Sequence, residues 1–334
     1  MGRGELISLK TGIAVAALAL SAGLLAQEAA EPVHPPPHTS PWPTLGTGAT
    51  PGMVQASYAL GPELQRGRSA KEMLADRRKL DKALASLQPH RKGTVDAYVV
   101  SVALDSDLVF AREAREAGRV LTRRYDAGGR SVTLAGPDGR SAEHPRGSIA
   151  SLTLVLARMA ELMDPAEDVL VLYTTSHGAP EGLAYHEGDT GFGVLSPFRL
   201  GSVLSELGIK RRVVMLSACY SGVFVPYLAS RDTALVTAAA ADRTSFGCRA
   251  ENDWTFFGDA LVNNALRKPA SFTAASAEAT NMIAGWEGSY SLEPSQPQVV
   301  IGDLVATWLP ALEARAPKAA TQPVGQPSIA SFQR

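Results

Sequence analysis

The chain has 334 residues, 45% of them hydrophobic and 19% charged, with a net charge of −1. That is enough apolar material for a full core, in one large or two small domains. The balanced charge, with no basic stripe, excludes an ordinary nucleic-acid-binding surface, and two cysteines in such a length exclude a disulfide-dense scaffold.

At the N-terminus, Arg3 and Lys10 precede an apolar run at 13–26. The run is shorter than the ~20 residues a membrane span needs and suits a signal peptide cleaved after Ala26. Export to the periplasm or the extracellular space is therefore expected; the alternative is an uncleaved N-terminal membrane anchor. No later stretch is long and apolar enough to span a bilayer, so no stable span is expected once the signal is removed. The proline-rich sequence at 27–52 is expected to form an extended, disordered linker. A charged surface helix over 70–87 follows, so 27–93 forms the approach to a compact domain at 94–310.

That domain alternates strands and helices. The valine-rich run 95–104 predicts a buried strand, and Asp105–Asp107 a loop at its C-terminal end. A helix over 109–124, a strand over 131–134 and a helix over 149–162 come next. A second buried strand covers 169–175, then a short hairpin arm at 182–185 and a glycine-rich loop at 189–193. Ser196-Pro197 signals a helix start and Gly208 its end. The strand 212–218, a short helix at 223–228 and a strand at 234–238 follow. A polar loop fills 242–252. Helices over 254–266 and 271–285 are separated by Pro269, and a last strand lies at 298–301. The Ala-, Pro- and Gln-rich segment 311–334 is expected to be a flexible tail. The pattern implies an α/β sandwich with a mostly parallel sheet and helices on both faces.

Two of the apolar runs end in reactive side chains. DVLVLYTTSHG ends in His177-Gly178, and RRVVMLSACYSG carries Cys219, 42 residues further on. In such sheets ligands sit at the carboxyl ends of strands. A cysteine at a strand end is by itself most often a core residue; paired with a histidine at a matching end, it suggests a nucleophile and its proton carrier. The N–H groups of Gly178 and Cys219 are the candidate oxyanion hole. His34, His38, His90, His144 and His186 show no metal-ligand spacing, so neither metal nor cofactor is expected. Cys248 has three readings: a packed thiol, which is favoured, a disulfide partner of Cys219, or a family relic.

An apolar strand ending in His-Gly, then one ending in Ala-Cys-x-Ser-Gly, resembles the caspase–legumain clan of cysteine peptidases. The legumain (asparaginyl endopeptidase) branch is the nearer match. The Thr-Ala-Ala run at 237–239, the Arg/Ser loop reaching Cys248, and Phe257-Gly258-Asp259 fall in a similar order. Over roughly 96–301 the chain looks like a bacterial member of that family. The resemblance implies a caspase-like three-layer sandwich and a cysteine endopeptidase acting on a peptide or protein substrate. Cys219 would be the nucleophile and His177 the proton carrier. It also implies a substrate pocket using Ser245 and Asp259, with Arg112 as the arginine after the first strand, by position. Ser217 departs from the pattern, since legumains carry an acidic residue there. A transamidase or transpeptidase using the same dyad, and a silent binding scaffold, are the alternatives; the oligomeric state stays open.

Overall fold

A computed structural model of the chain describes residues 1–2, 36–136 and 143–332, so the expected export signal lies outside the described residues. The elements belong to one unit, Val33–Arg334. In chain order they are α1 (Pro51–Ala59), β1 (Glu63–Gln65), α2 (Ala70–Ala85), β2 (Ala97–Ala103), α3 (Leu108–Arg124), β3 (Ser131–Leu134), α4 (Ile149–Leu162) and β4 (Val169–Thr175). Then come β5 (Gly178–Ala179), β6 (Gly182–Glu187), β7 (Gly191–Leu195), α5 (Pro197–Glu206), β8 (Arg212–Ser217), α6 (Val225–Leu228), β9 (Thr233–Thr237), α7 (Phe272–Ser289), β10 (Gln298–Ile301) and α8 (Val305–Glu313).

Six strands form the central sheet in the order β10-β9-β8-β4-β2-β3. All neighbours pair in parallel except β10, which runs antiparallel to β9. Alternate side chains of each strand point to opposite faces. Val99, Val171, Tyr173, Met215 and Val236 pack on one face with α3, α7 and α8. Tyr98, Val100, Leu172, Val214 and Leu235 pack on the other with α4 and α5. The strands are buried on both sides, which is why they read as unbroken apolar runs rather than alternating ones. The mostly parallel α/β sandwich expected from sequence is thus the observed architecture. Serine caps explain several helix starts: Ser69, Ser148, Ser196 and Ser271 each accept from a backbone N–H of the first turn.

Three segments differ from their sequence reading. The expected glycine-rich loop is largely β7, because it pairs with β6 on one side and with β1, over a hundred residues earlier, on the other. The linker is fastened where it is described: the backbone N–H groups of Thr39 and Ser40 donate to Asp189 at 2.7 and 2.6 Å, and Trp42 meets Phe192 edge-on. The tail is not loose either. Trp254 Nε1 donates to the Val324 carbonyl at 2.8 Å, and the rings of Phe332 and Phe256 lie 5.3 Å apart. Its composition resembles a disordered segment, but a few anchors into buried partners suffice to hold it.

The order of crossovers places the site. After β2 the chain adds β3 on one side, then crosses to β4 on the other. The strand order therefore reverses between β2 and β4, where doubly wound sheets open a crevice at their carboxyl ends.

Candidate active site

Register brings the reactive residues together. Thr175 of β4 pairs with Ala103 of β2 and with Ser217 of β8. Two residues past this row stand Asp105, His177 and Cys219, one from each strand. Neighbouring strands lie about 4.8 Å apart, so His177 and Cys219 emerge side by side at the same height.

Gly178 shows how closely the two loops approach. A Cβ built there would lie 2.0 Å from the Cys219 carbonyl oxygen, well inside any real contact. Gly178→Ala must push two backbone segments apart. It is expected to destabilise the fold by about 1–3 kcal/mol, as overpacking does, and to displace His177 from Cys219. Loss of thiol reactivity beyond the loss of stability, measured by probe labelling and by denaturant unfolding, checks this.

The chain turns at once after Cys219. Tyr220 adopts a left-handed conformation with φ 56°, and its N–H donates to the Arg243 carbonyl at 2.8 Å. A non-glycine residue there costs roughly 1–2 kcal/mol. The sharp turn is thus made at Tyr220. Among the described residues, no group accepts a hydrogen bond from the Cys219 N–H, so that donor is left for a ligand.

The thiol sits among donors. The Ser245 N–H lies 3.2 Å from Sγ, and hydrogen bonding from the Cys248 side chain is the largest cause lowering the Cys219 pKa. Those bonds, with the Ser245 hydroxyl at 3.7 Å and the His177 charge, outweigh burial and lower the Cys219 pKa to about 6. Cys248 moves the opposite way, pushed well above its ordinary value by its bond to Cys219 and by burial. Both cysteines are free, so the packed-thiol reading of Cys248 holds, with the added role of donor.

Asp107 holds the imidazole, and sequence reasoning passed over it as loop. His177 Nε2 faces its Oδ2 at 3.5 Å, and the ring stands edge-on to Phe110 with centroids 4.9 Å apart. Asp107 is the N-cap of α3, yet its side chain makes no cap bond; the carboxylate is turned to the histidine instead. The signal available in sequence was Asp-Ser-Asp at the carboxyl end of the first buried strand. Burial acts to lower the His177 pKa, but the Asp107 bond and the charges of Asp105, Asp107 and Cys219 together raise it. Asp107 is lowered in return, chiefly by the same bond. A thiol made more acidic beside an imidazole made more basic favours the thiolate–imidazolium pair.

The residues expected to bind substrate divide. Ser245 is at the thiol. Asp259 is not at the rim: it is 1% exposed, its Oδ2 accepts from Ser328 N and Oγ, and Asn263 and Asn264 donate to Oδ1. The tail thus takes the place assigned to a substrate amide. Arg112 is pinned to the 250–253 loop, donating to the carbonyls of Ala250 and Asn252 at 3.2 and 2.8 Å. Ser217 is buried under the site and donates to Glu113 Oε1 at 2.8 Å. Glu113, fully buried, also accepts from Tyr173 and from the Thr255 N–H. The sequence reading placed it only within the helix expected over 109–124.

Residues 152–284 match the Peptidase C13 family, a segment that holds both His177 and Cys219. Among solved structures, that of caspase-1 from Spodoptera frugiperda is similar at 14% identity and a TM-score of 0.42, covering 65% of this chain and 88% of that one. No curated protein sequence matches the chain.

Proposed function

We propose, from the premise that the chain is a cysteine peptidase of the C13, or legumain, family, that Cys219 and His177 cleave a peptide bond through an acyl-enzyme. The observation that supports this reading is the shared register of the adjacent parallel strand ends, Thr175 and Ser217, two residues before His177 and Cys219, with Gly178 closed against the Cys219 carbonyl. The Cys219 thiolate attacks the scissile carbonyl carbon, and the oxygen takes up the negative charge. The N–H groups of Cys219 and Gly178 receive that oxyanion. His177, as imidazolium, gives its proton to the departing amine as the C–N bond breaks, leaving a thioester. The neutral imidazole then takes a proton from water, which attacks the thioester and frees the acid and the thiol. Asp107 steers the ring and stabilises its charged form. The apolar run at 13–26 supports export, and with it a substrate outside the cytoplasm.

The test is a thiol-reactive peptidyl probe applied to the full chain. It labels the wild type and the Cys248→Ala variant at one site and leaves Cys219→Ala unlabelled. Equal labelling of wild type and Cys219→Ala ends the reading.

The pH dependence follows from the same contacts. Reaction needs the thiolate, so its acid limb falls near pH 6, the Cys219 value. It also needs the charged imidazole, so the alkaline limb lies above the ordinary histidine value of 6.5. Cys248→Ala removes the largest cause of thiol acidification, so the Cys219 pKa rises and the acid limb moves up. The variant's deficit in labelling rate is expected to grow as pH falls and to shrink as pH rises. A deficit independent of pH would falsify the donor role of Cys248.

A further inference from the structure

Behind the catalytic rim, three residues from distant parts of the chain converge. Asp105 ends β2, His186 belongs to β6, and His38 lies in the N-terminal segment. Backbone bonds fix the first two side by side: His186 N donates to the Leu104 carbonyl, and Ser106 N to the His186 carbonyl, each at 2.9 Å. His38 is brought in by the segment that fastens to Asp189, and its ring lies 4.2 Å from that of His186. One donor atom from each of the three lies within 4.8 Å of the others.

Two of these residues carry a buried polar atom with no partner among the described residues. Asp105 is 2% exposed. Its Oδ1 accepts from the Asp107 N–H at 2.8 Å, but its buried Oδ2 accepts no hydrogen bond from the described residues, and the buried His186 Nε2 has no partner among them either. A buried carboxylate oxygen without a donor is costly, so such atoms mark places where something else binds. His186 Nδ1 stands 3.6 Å from Asp105 Oδ2, too long for a hydrogen bond. It is close to the ~3.3 Å that separates two ligands of a tetrahedral zinc ion.

We propose that His38, Asp105 and His186 form a binding site for a divalent transition cation of the zinc class. Two imidazoles and one carboxylate suit zinc and disfavour the oxygen-seeking magnesium and calcium. The three residues leave a fourth position open. Groups around them fit the second layer such sites have. His38 Nε2 shares a hydrogen bond with Ser106 Oγ at 2.8 Å, and its Nδ1 faces Asp107 Oδ1 at 3.4 Å. Binding through Nε2 would replace its bond to Ser106, and Asp107 would then back His38 through Nδ1 as it backs His177. Trp42 and Phe192 pack against the His186 ring and shield it. Bound cation would clamp the N-terminal segment to the strand end that carries Asp107. The proposal does not rest on the peptidase reading, since none of the three residues is assigned to substrate, although Asp105 and Asp107 link the site to His177.

The test uses the full chain, Zn²⁺ in titration calorimetry and Co²⁺ as a spectroscopic probe. One equivalent is expected to bind wild type and the Cys219→Ala/Cys248→Ala double variant alike. Cobalt should give tetrahedral ligand-field bands without a thiolate charge-transfer band. His38→Ala and His186→Ala should each weaken binding by about tenfold or more. Zn²⁺ at a fixed concentration should raise the melting temperature of wild type by more than that of His38→Ala. His38 is the safe arm, because its side chain is 25% exposed and outside the core; if His186→Ala does not fold, His38→Ala decides. No binding, binding unchanged by His38→Ala, or binding that vanishes with the two thiols overturns the site.

Discussion

A His177→Ala variant should be labelled by the peptidyl probe about 10²–10⁴-fold more slowly than wild type at pH 7, with its fold intact. The side chain is 44% exposed, so its removal opens no core cavity. Two contributions vanish together. The proton carrier is gone, and so is the positive charge that helps hold the thiol near pKa 6. A loss of less than fivefold would mean that another group activates Cys219. Asp107→Ala should cost less in rate and move the alkaline limb down, because the bond that raises His177 is lost. The pair also sets a stability window. Asp107 is lowered, so its share is present above the ordinary 3.8 and fades as pH falls. His177 is raised, so its share is present below the ordinary 6.5 and fades as pH climbs through the folded value. Asp107→Ala is therefore expected to lose most stability between those limits and little above pH 8, a profile that denaturant midpoints across pH will read.

Glu113→Ala should lower unfolding free energy by about 3–5 kcal/mol, the usual cost of breaking a buried charged network. Tyr173, Ser217 and the Thr255 N–H all donate to this one carboxylate, at 2.6, 2.8 and 2.8 Å. Alanine leaves three buried donors with nothing to bond. Glutamine is no cure, because its NH₂ must face a cluster made of donors. The site offers no slack either: a Cβ at Gly258 would sit 2.2 Å from Glu113 Oε2. Thermal and urea unfolding measure the cost, and a loss below about 1 kcal/mol would show that water replaces the carboxylate. The same network gives a physical account of Ser217. Where the legumain pattern has an acid two residues before the cysteine, this chain has a hydroxyl that donates to an acid supplied by α3.

The sheet was readable because its strands are buried on both faces. The runs ending at Ala103, Thr175 and Ser217 need no partner to be recognised as apolar, and their shared register follows from parallel pairing. His177 and Cys219 were legible for the same reason, as polar ends on apolar runs. What stayed hidden depends on distant partners. Asp107 looks like any loop acid until the histidine arrives 70 residues later. β7 looks like a glycine loop until β1 pairs with it. Asp259 was assigned to substrate because its own motif resembles a pocket, while the serine that occupies its carboxylate lies 69 residues further on. The helix expected at 254–266 is wound partly as a π-helix over Gly258–Asn264, where Asn264 turns back to the Asp259 carbonyl and carboxylate.

That last separation has a consequence for how the protein is made. At 5–20 residues per second, a ribosome delivers Ser328 roughly 3 to 14 s after Asp259. Through that interval the carboxylate, Phe256 and Trp254 have no closing strap. Only between the synthesis of β10 at Gln298–Ile301 and that of Ser328 can the sheet be complete while these last contacts do not yet exist.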